Sequence, residues 1–294
     1  MFITLKKNGN VPWRKSHAMV TPYTMGTMTG KTYPTIYKSY AYLGFGIENA
    51  GDLDNDGMAD IIATAGNGDA NAAIFVFFLQ SSTSDSFVKD WVELVSAAKA
   101  INGVTAPSGT GGFYSRIARF SASSDLFGDG NPDFAIGSCY YDPTGFTDSG
   151  AVWIISVGDK GTAVKHSSLI TRGENGGPAT LKSTDYFGSG VAAIPDQDGD
   201  GLEDLLVGAI GDDTASSNAG AVYKFHMNED GSVKSDFQII SGSSGAAEGK
   251  LGWLTSSSYC GAGIAAFPLR ESVSTYEIAV TCRFSSGHLQ LYRP

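Results

Sequence analysis

The chain has 294 residues and a formal net charge of −10, because 30 Asp and Glu outnumber 20 Lys and Arg. An acidic surface of this kind repels phosphate backbones, so nucleic acid is not expected as a partner. The 38 Gly, 16 Phe and 13 Tyr, together with a charged fraction of 17%, favour many short strands and tight turns over long amphipathic helices.

Apolar runs in the chain are short. The run 72–79 (AAIFVFFL) suits a buried strand and is far below the roughly 18 to 20 residues that a membrane-spanning helix requires. Residues 1–10 (MFITLKKNGN) have no apolar core of signal-peptide length. We therefore expect no membrane insertion by this segment, and no signal peptide within it.

The sequence repeats itself four times. Segment 186–208 aligns without a gap on 259–281, and segments 45–65 and 113–138 align with them after small length changes. In each copy the acidic segment, or its aligned counterpart, precedes an apolar run, a polar turn and a mostly aromatic or β-branched run, which are strand and turn signals. Four short strands in a repeat of about 70 residues are typical of the blades of a β-propeller.

We therefore predict an all-β fold, a β-propeller of four-stranded antiparallel blades that forms a single domain over residues 1–294. The approximate repeats are 1–73, 74–151, 152–222 and 223–294, so the chain begins and ends within a repeat. A small ring closed by strands from both termini, or part of a larger ring with further blades of the same polypeptide, would each fit this arrangement. Only segment 88–100 has apolar residues at a helix-like spacing.

Two acidic loops match the pattern D-x-D-x-D-G-x-x-D at equivalent places of two repeats: the first loop, 52–60 (DLDNDGMAD), and the third loop, 196–204 (DQDGDGLED). Such a turn brings hard oxygen atoms to one point, which suits Ca²⁺, whereas an EF-hand would need a Glu at loop position twelve. Turn formation alone would also explain Asp and Gly here, but carboxylates packed without a cation repel one another. The predicted ligands, with carbonyl oxygens from Met58 and Leu202, are Asp52, Asp54, Asp56, Met58, Asp60, Asp196, Asp198, Asp200, Leu202 and Asp204.

The other two copies of the loop depart from this pattern. The second loop, 125–133 (DLFGDGNPD), has Phe127 at its third position but keeps Asp125, Asp129 and Asp133, so a weakened or water-completed site and no site both stay open. The fourth copy places Leu269, Glu271, Val273 and Glu277 at the ligand positions, and we expect it to be metal-free.

Three cysteines are too few for a disulfide scaffold. Cys260 and Cys282 are symmetric about the tip of a predicted hairpin, so they would face each other across two antiparallel strands. Either a disulfide or two buried thiols would fit there, and Cys139 is expected to stay free.

Catalytic motifs are missing from the sequence. The four His are far apart and form no H-E-x-x-H pair, and there is no G-x-S-x-G, no P-loop and no G-x-G-x-x-G. We therefore predict no catalytic residues and no enzymatic activity.

Three features together resemble FG-GAP repeats, the blades of the integrin alpha-subunit N-terminal propeller. They are the Phe-Gly pairs at 45–46 and 187–188, the aspartate loops, and Val207–Ala209 (VGA). The resemblance covers residues from about 43 onward and is strongest in the third copy, although integrins usually have seven repeats. It implies structural calcium loops between the first two strands of a blade, with ligands engaged at the opposite face.

The resemblance also implies a function. It suggests an extracellular or cell-surface protein that binds a protein or glycan ligand in cell adhesion without catalysis. The alternative is a lectin-like, carbohydrate-binding propeller or an accessory module of a secreted carbohydrate-active enzyme.

Overall fold

The computed structural model describes residues 43–65, 73–80, 88–96, 117–121, 124–234, 237–242, 256–268, 276–282 and 288–292. These residues form fifteen β-strands and no helix, which confirms the all-β prediction. Within them, no helix is present that would be long and apolar enough to cross a bilayer. The strand expected near the N-terminus lies outside the described residues.

The strands form four antiparallel sheets in which strands adjacent in sequence are also paired. The first sheet contains β1 (Ile47–Gly51), β2 (Asp60–Ala65), β3 (Ala73–Leu79) and β4 (Val88–Ser96). The second contains β5 (Ile117–Arg119), β6 (Asp133–Ser138), β7 (Ala151–Gly158) and β8 (Ala163–Thr171). The third contains β9 (Phe187–Ile194), β10 (Asp204–Ala209), β11 (Ala221–Phe225) and β12 (Gln238–Ile240). The fourth contains β13 (Ile264–Pro268), β14 (Tyr276–Cys282) and β15 (His288–Tyr292).

The core lies between successive sheets. Trp153 of β7 packs toward the first sheet with Val76, whereas its neighbour Ile154 packs toward the third sheet with Val207. Side chains alternate between the two faces of a strand, so β7 is buried on both faces and its sequence is a continuous apolar run. A third cluster joins the third and fourth sheets.

Two glycines allow consecutive sheets to approach closely. Gly150 forms a parallel bridge with Phe187, and Gly220 forms the equivalent bridge with Cys260, in the segment before β13. Gly150 has a φ of 93°, and a Cβ there would lie 2.1 Å from the carbonyl oxygen of Phe187. Only glycine fits such a position, because it has neither the side chain nor its conformational restriction.

The helix-like spacing in 88–100 was misleading, because residues Val88–Ser96 form strand β4. Two β-bulges interrupt its pairing with β3, so Lys89 and Leu94 have no partner in the ladder. Each extra residue shifts the alternation of buried and exposed positions by one. Val88, Trp91, Leu94 and Val95 are therefore all buried, at a spacing that imitates an amphipathic helix.

The first strands of the four sheets contact one another in order. Strand β1 packs against β5, β5 against β9, and β9 against β13. Extensive packing of the fourth sheet on the first, which would close a ring, is not found among the described residues. The observed architecture is thus a succession of four antiparallel sheets.

The fourth sheet contains a disulfide between Cys260 and Cys282, one of the two arrangements that the sequence allowed. Its sulfur atoms join the segment before β13 to the end of β14. Cys139 is buried and does not take part in a disulfide, as expected. Most of the fourth copy of the acidic loop, 269–275, lies outside the described residues, so its expected lack of metal stays a prediction.

Candidate metal centre

The three aspartate loops share one hydrogen-bonding frame. Each connects the first two strands of its sheet, and the carboxylate of its first Asp accepts backbone N–H groups from the loop that follows. The amides of Gly57, Gly130 and Gly201 donate to the first Asp of their loops over 2.8, 2.7 and 2.8 Å. The fifth-position Asp in turn accepts the amide two residues later, over 2.9, 2.9 and 2.8 Å. The loops are therefore folded by their own side chains, as Asx-type turns are.

The ninth-position Asp of each loop begins the second strand and is buried, with 1% of its surface exposed in Asp60, Asp133 and Asp204. One oxygen of Asp60 accepts the Leu53 amide at 2.9 Å, and the other accepts the Leu79 amide at 2.9 Å, at the end of the third strand. Asp204 makes the equivalent bonds with Gln197 and Met227. This residue therefore ties the loop to the sheet.

The second loop lacks one of these bonds. The amide of Val157, which is equivalent to the amides of Leu79 and Met227, donates to the carbonyl oxygen of Pro132 at 3.0 Å. Oδ1 of Asp133 is consequently buried without a hydrogen-bond partner, although its Oδ2 accepts the Leu126 amide. The ninth-position carboxylate of the second loop thus accepts one backbone hydrogen bond fewer than those of the other two loops.

Burial disfavours the charged form of these carboxyl groups. It raises the pKa of Asp133 to about 7 and that of Asp204 to about 6, and the pKa of Asp60 is also raised. The neighbouring carboxylates of the same loops add to the increase, as Asp54 and Asp56 do for Asp60. A bound divalent cation would offset both effects, because it supplies the missing positive charge.

Carboxylates converge in two of the three loops. One oxygen each from Asp52, Asp54 and Asp60 lies within 4.8 Å of the others, and the same holds for Asp196, Asp198 and Asp200. These six residues could hold metal ions and are all among the predicted ligands. Asp56 and Asp204 are outside these two groups, and the carboxylates of Asp125, Asp129 and Asp133 form no such group in the described part of the chain.

The residues of the first loop fit a hard cation. Oδ1 of Asp54 is buried and accepts no hydrogen bond, so it is available as a ligand. All the donor atoms are oxygens, which suits Ca²⁺ better than a transition metal. The amides of Met58 and Leu202 donate to Asp56 and Asp200 of their own loops.

Sequence reasoning missed the lysines of the loops. The ammonium of Lys89 pairs with Asp56 and with Asp54, lying 2.7 Å from the latter. Lys234 pairs with Asp198 and with Asp200, at 2.9 Å from the latter. Each lysine therefore occupies the side of the loop where a cation would be bound.

A sequence signal for these lysines exists. A Val-Lys pair begins the segment after the third strand in three repeats, at 88–89, 164–165 and 233–234. In the second repeat, however, Lys165 pairs with Asp159 at 2.6 Å, and Nε2 of His166 lies 3.6 Å from Oδ2 of Asp129. The ring of Phe127, at the position of the missing carboxylate, stacks on that of His166.

A comparison of the chain with models of known protein families found no match, and a search of curated proteins found no similar sequence. The site is therefore interpreted from its own residues.

Proposed function

We propose that the protein is a calcium-stabilised, non-catalytic β-propeller of the FG-GAP type, which binds an extracellular protein or glycan ligand. The observation that carries the proposal is the repeated convergence of three carboxylates. It occurs in the same loop of two repeats, on a hydrogen-bonding frame that a third repeat shares.

A structural role for the metal follows from the position of the loops. The ninth-position aspartates are buried between strands and already hold backbone amides, as Asp60 holds those of Leu53 and Leu79. In the first loop, where Asp60 is one of the three converging carboxylates, a cation would link the first three strands of the sheet. Because it would bind only the folded loop, it would stabilise the protein by mass action, by about 2.7 kcal/mol for each site at a free concentration one hundred times Kd.

The extracellular location is supported by the Cys260–Cys282 disulfide. Disulfides persist in oxidising compartments and are rare in the reducing cytosol. A binding role, finally, is supported by the resemblance of the loops and Phe-Gly pairs to FG-GAP blades, and by the lack of a catalytic motif in the sequence.

Calcium calorimetry on the metal-stripped full chain, combined with thermal melting with and without calcium, tests the metal. We expect two sites, or three if the second loop also binds, and a higher Tm with calcium. A chain that binds no calcium would overturn this part of the proposal.

A glycan array and a panel of extracellular matrix proteins test the ligand class. Specific glycan binding that a free sugar competes away would favour the lectin-like alternative over protein adhesion. Turnover of a glycan or ester that is lost when a carboxylate outside the loops is replaced would contradict the non-catalytic assignment.

A further inference from the structure

A pocket of about 290 Å³ lies between the first two sheets, beside their aspartate loops. The first sheet contributes Leu53 and Asn55 to its wall, and the second contributes Arg119, Asn131 and Lys160. Arg119 is the last residue of β5, and Lys160 lies in the turn between β7 and β8. The volume is close to the lower end of the range for small-molecule sites, about 300 to 1,000 Å³.

The two cationic side chains of this pocket form no ion pair with a described residue, although the carboxylate of Asp52, a predicted metal ligand, also lines the pocket. Neither Arg119 nor Lys160 forms an ion pair with any described residue, and Nε of Arg119 is buried without a hydrogen-bond partner. Lys89 and Lys234, by contrast, are paired with the loop aspartates. The unpaired Nε of Arg119 is unexpected, since a buried donor left unpaired is costly, whereas Lys160 is exposed to solvent.

The guanidinium of Arg119 lies close to Gly51, the last residue of β1, which has no side chain in its way. A Cβ at that residue would lie 2.8 Å from Nη2 of Arg119. Asp52 forms no ion pair with Arg119, and its two oxygens accept amides of their own loop, from Asp56 at 3.0 Å and Gly57 at 2.8 Å. The donors of Arg119 are therefore available to a ligand.

We infer that this pocket binds the carboxylate of a small acidic sugar, such as a hexuronate. A guanidinium matches a carboxylate with two parallel hydrogen bonds, and Lys160 would add a second positive charge. The amides of Asn55 and Asn131 can donate to and accept from hydroxyl groups, and Leu53 and Val157 offer an apolar wall to the carbon skeleton. The inference rests on the proposed binding function and gives it a ligand class, at a place beside the aspartate loops rather than at the opposite face that the FG-GAP resemblance implies.

Isothermal titration of the calcium-loaded full chain with glucuronate, glucose, acetate and inorganic phosphate tests this assignment. Glucuronate should bind at least about tenfold more tightly than each of the other three, because only it offers both a carboxylate and hydroxyl groups. If glucose bound as tightly as glucuronate, the cationic side chains would have no role in binding, and the inference would be overturned. Acetate or phosphate binding as tightly would overturn the assignment to a sugar acid.

Variants of the pocket locate the binding. Arg119→Gln should weaken glucuronate binding about tenfold or more. If Arg119→Gln does not fold, the exposed Lys160→Gln replaces it, with an expected loss of about three- to tenfold. The exposed Lys182→Gln is the matched control and should bind normally. Unchanged binding in Arg119→Gln, or in Lys160→Gln where it replaces that variant, would overturn the inference.

The two proposals fail separately. Calcium titrated in a separate experiment reports on the loops, and glucuronate reports on the pocket. Calcium binding without glucuronate binding would overturn the pocket alone, whereas glucuronate binding by a chain that takes up no calcium would overturn the metal proposal alone.

Discussion

The Nζ atom of Lys89 lies 2.7 Å from Oδ2 of Asp54, within the first aspartate loop. The same ammonium donates to Asp56, and this hydrogen bond lowers the pKa of that carboxyl group. The two carboxylates together raise the pKa of Lys89. The lysine thus supplies in part the positive charge that the loop requires, and it must move if a calcium ion binds to the same oxygens.

Replacing Lys89 should therefore have opposite effects on metal affinity and on metal-free stability. We expect Lys89→Gln to bind calcium about three- to tenfold more tightly, because a competing cation is removed. The metal-free variant should melt at a lower temperature than the wild type, because the loop carboxylates then repel one another without compensation. Calorimetry and thermal melting on metal-stripped protein measure both quantities.

Lys165→Gln is the matched control for this prediction. Lys165 occupies the equivalent position in the second repeat but pairs with Asp159 rather than with loop carboxylates. Its replacement should leave calcium affinity unchanged. Equal affinities for wild type and Lys89→Gln would show that the lysine does not compete with the ion.

The second loop should gain a metal site when its third-position carboxylate is restored. Phe127→Asp places a carboxylate at the position that Asp54 and Asp198 occupy in the other loops, and we expect one additional calcium ion per chain. Phe127→Ala is the control, because it removes the ring without adding a ligand. It separates the effect of losing the ring from the effect of gaining a carboxylate. A calcium stoichiometry that stays the same in Phe127→Asp would mean that the frame of this loop, with Pro132 in it, cannot close around an ion.

A buried carboxyl group outside the loops gives a test of pH dependence. Burial raises the pKa of Asp185 from 3.8 to about 6, and the charges of Asp212 and Asp213 contribute to the increase. The folded state therefore holds this proton more tightly than the unfolded chain. The resulting stabilisation is complete below about pH 4 and is lost as the pH rises through about 6.

Asp185→Asn should remove this dependence, because the amide is neutral at every pH and can still accept the Lys182 amide. At pH 8 we expect the free energy of unfolding of the variant to exceed that of the wild type by about 1 to 2 kcal/mol, with the difference narrowing toward pH 4. Denaturant unfolding at the two pH values measures it. The exposed Glu229→Gln serves as control. If Asp185→Asn and the wild type differed in free energy of unfolding by the same amount at both pH values, the raised pKa of Asp185 would be contradicted.

The disulfide should contribute measurably to stability. It joins residues 22 positions apart, and closing a loop of this size removes unfolded-state entropy worth about 3 kcal/mol. Cys282→Ser, paired with Cys260→Ser, should lower the Tm, and a reducing agent should do the same to the wild type only. Cys139→Ser tests the thiol outside the disulfide. Calcium binding by the first loop should be unaffected in the double variant.

Much of the fold could be predicted from the repeats, because strand and turn signals are local. The loop residues 52–60 and 196–204 were recognised from spacing, and the structure brings three predicted aspartates together in each. Strand β4 was misjudged because its two bulges shift the alternation on which strand recognition depends. Lys89 was missed although a Val-Lys pair recurs in three repeats, because the pair alone does not show that its side chain reaches the loop, and Lys165 pairs with Asp159 instead.

The sequence by itself determined that the chain is a repeated all-β protein with aspartate loops, since alternation, turn residues and carboxylate spacing are properties of short segments. Only the tertiary structure decided which charges meet. Lys89 lies on strand β4 and Asp54 in the loop between β1 and β2, and the pocket that contains Arg119 and Asn55 is formed by two sheets. Such contacts depend on the register of strands and the packing of sheets, and these are set by interactions between segments far apart in the chain.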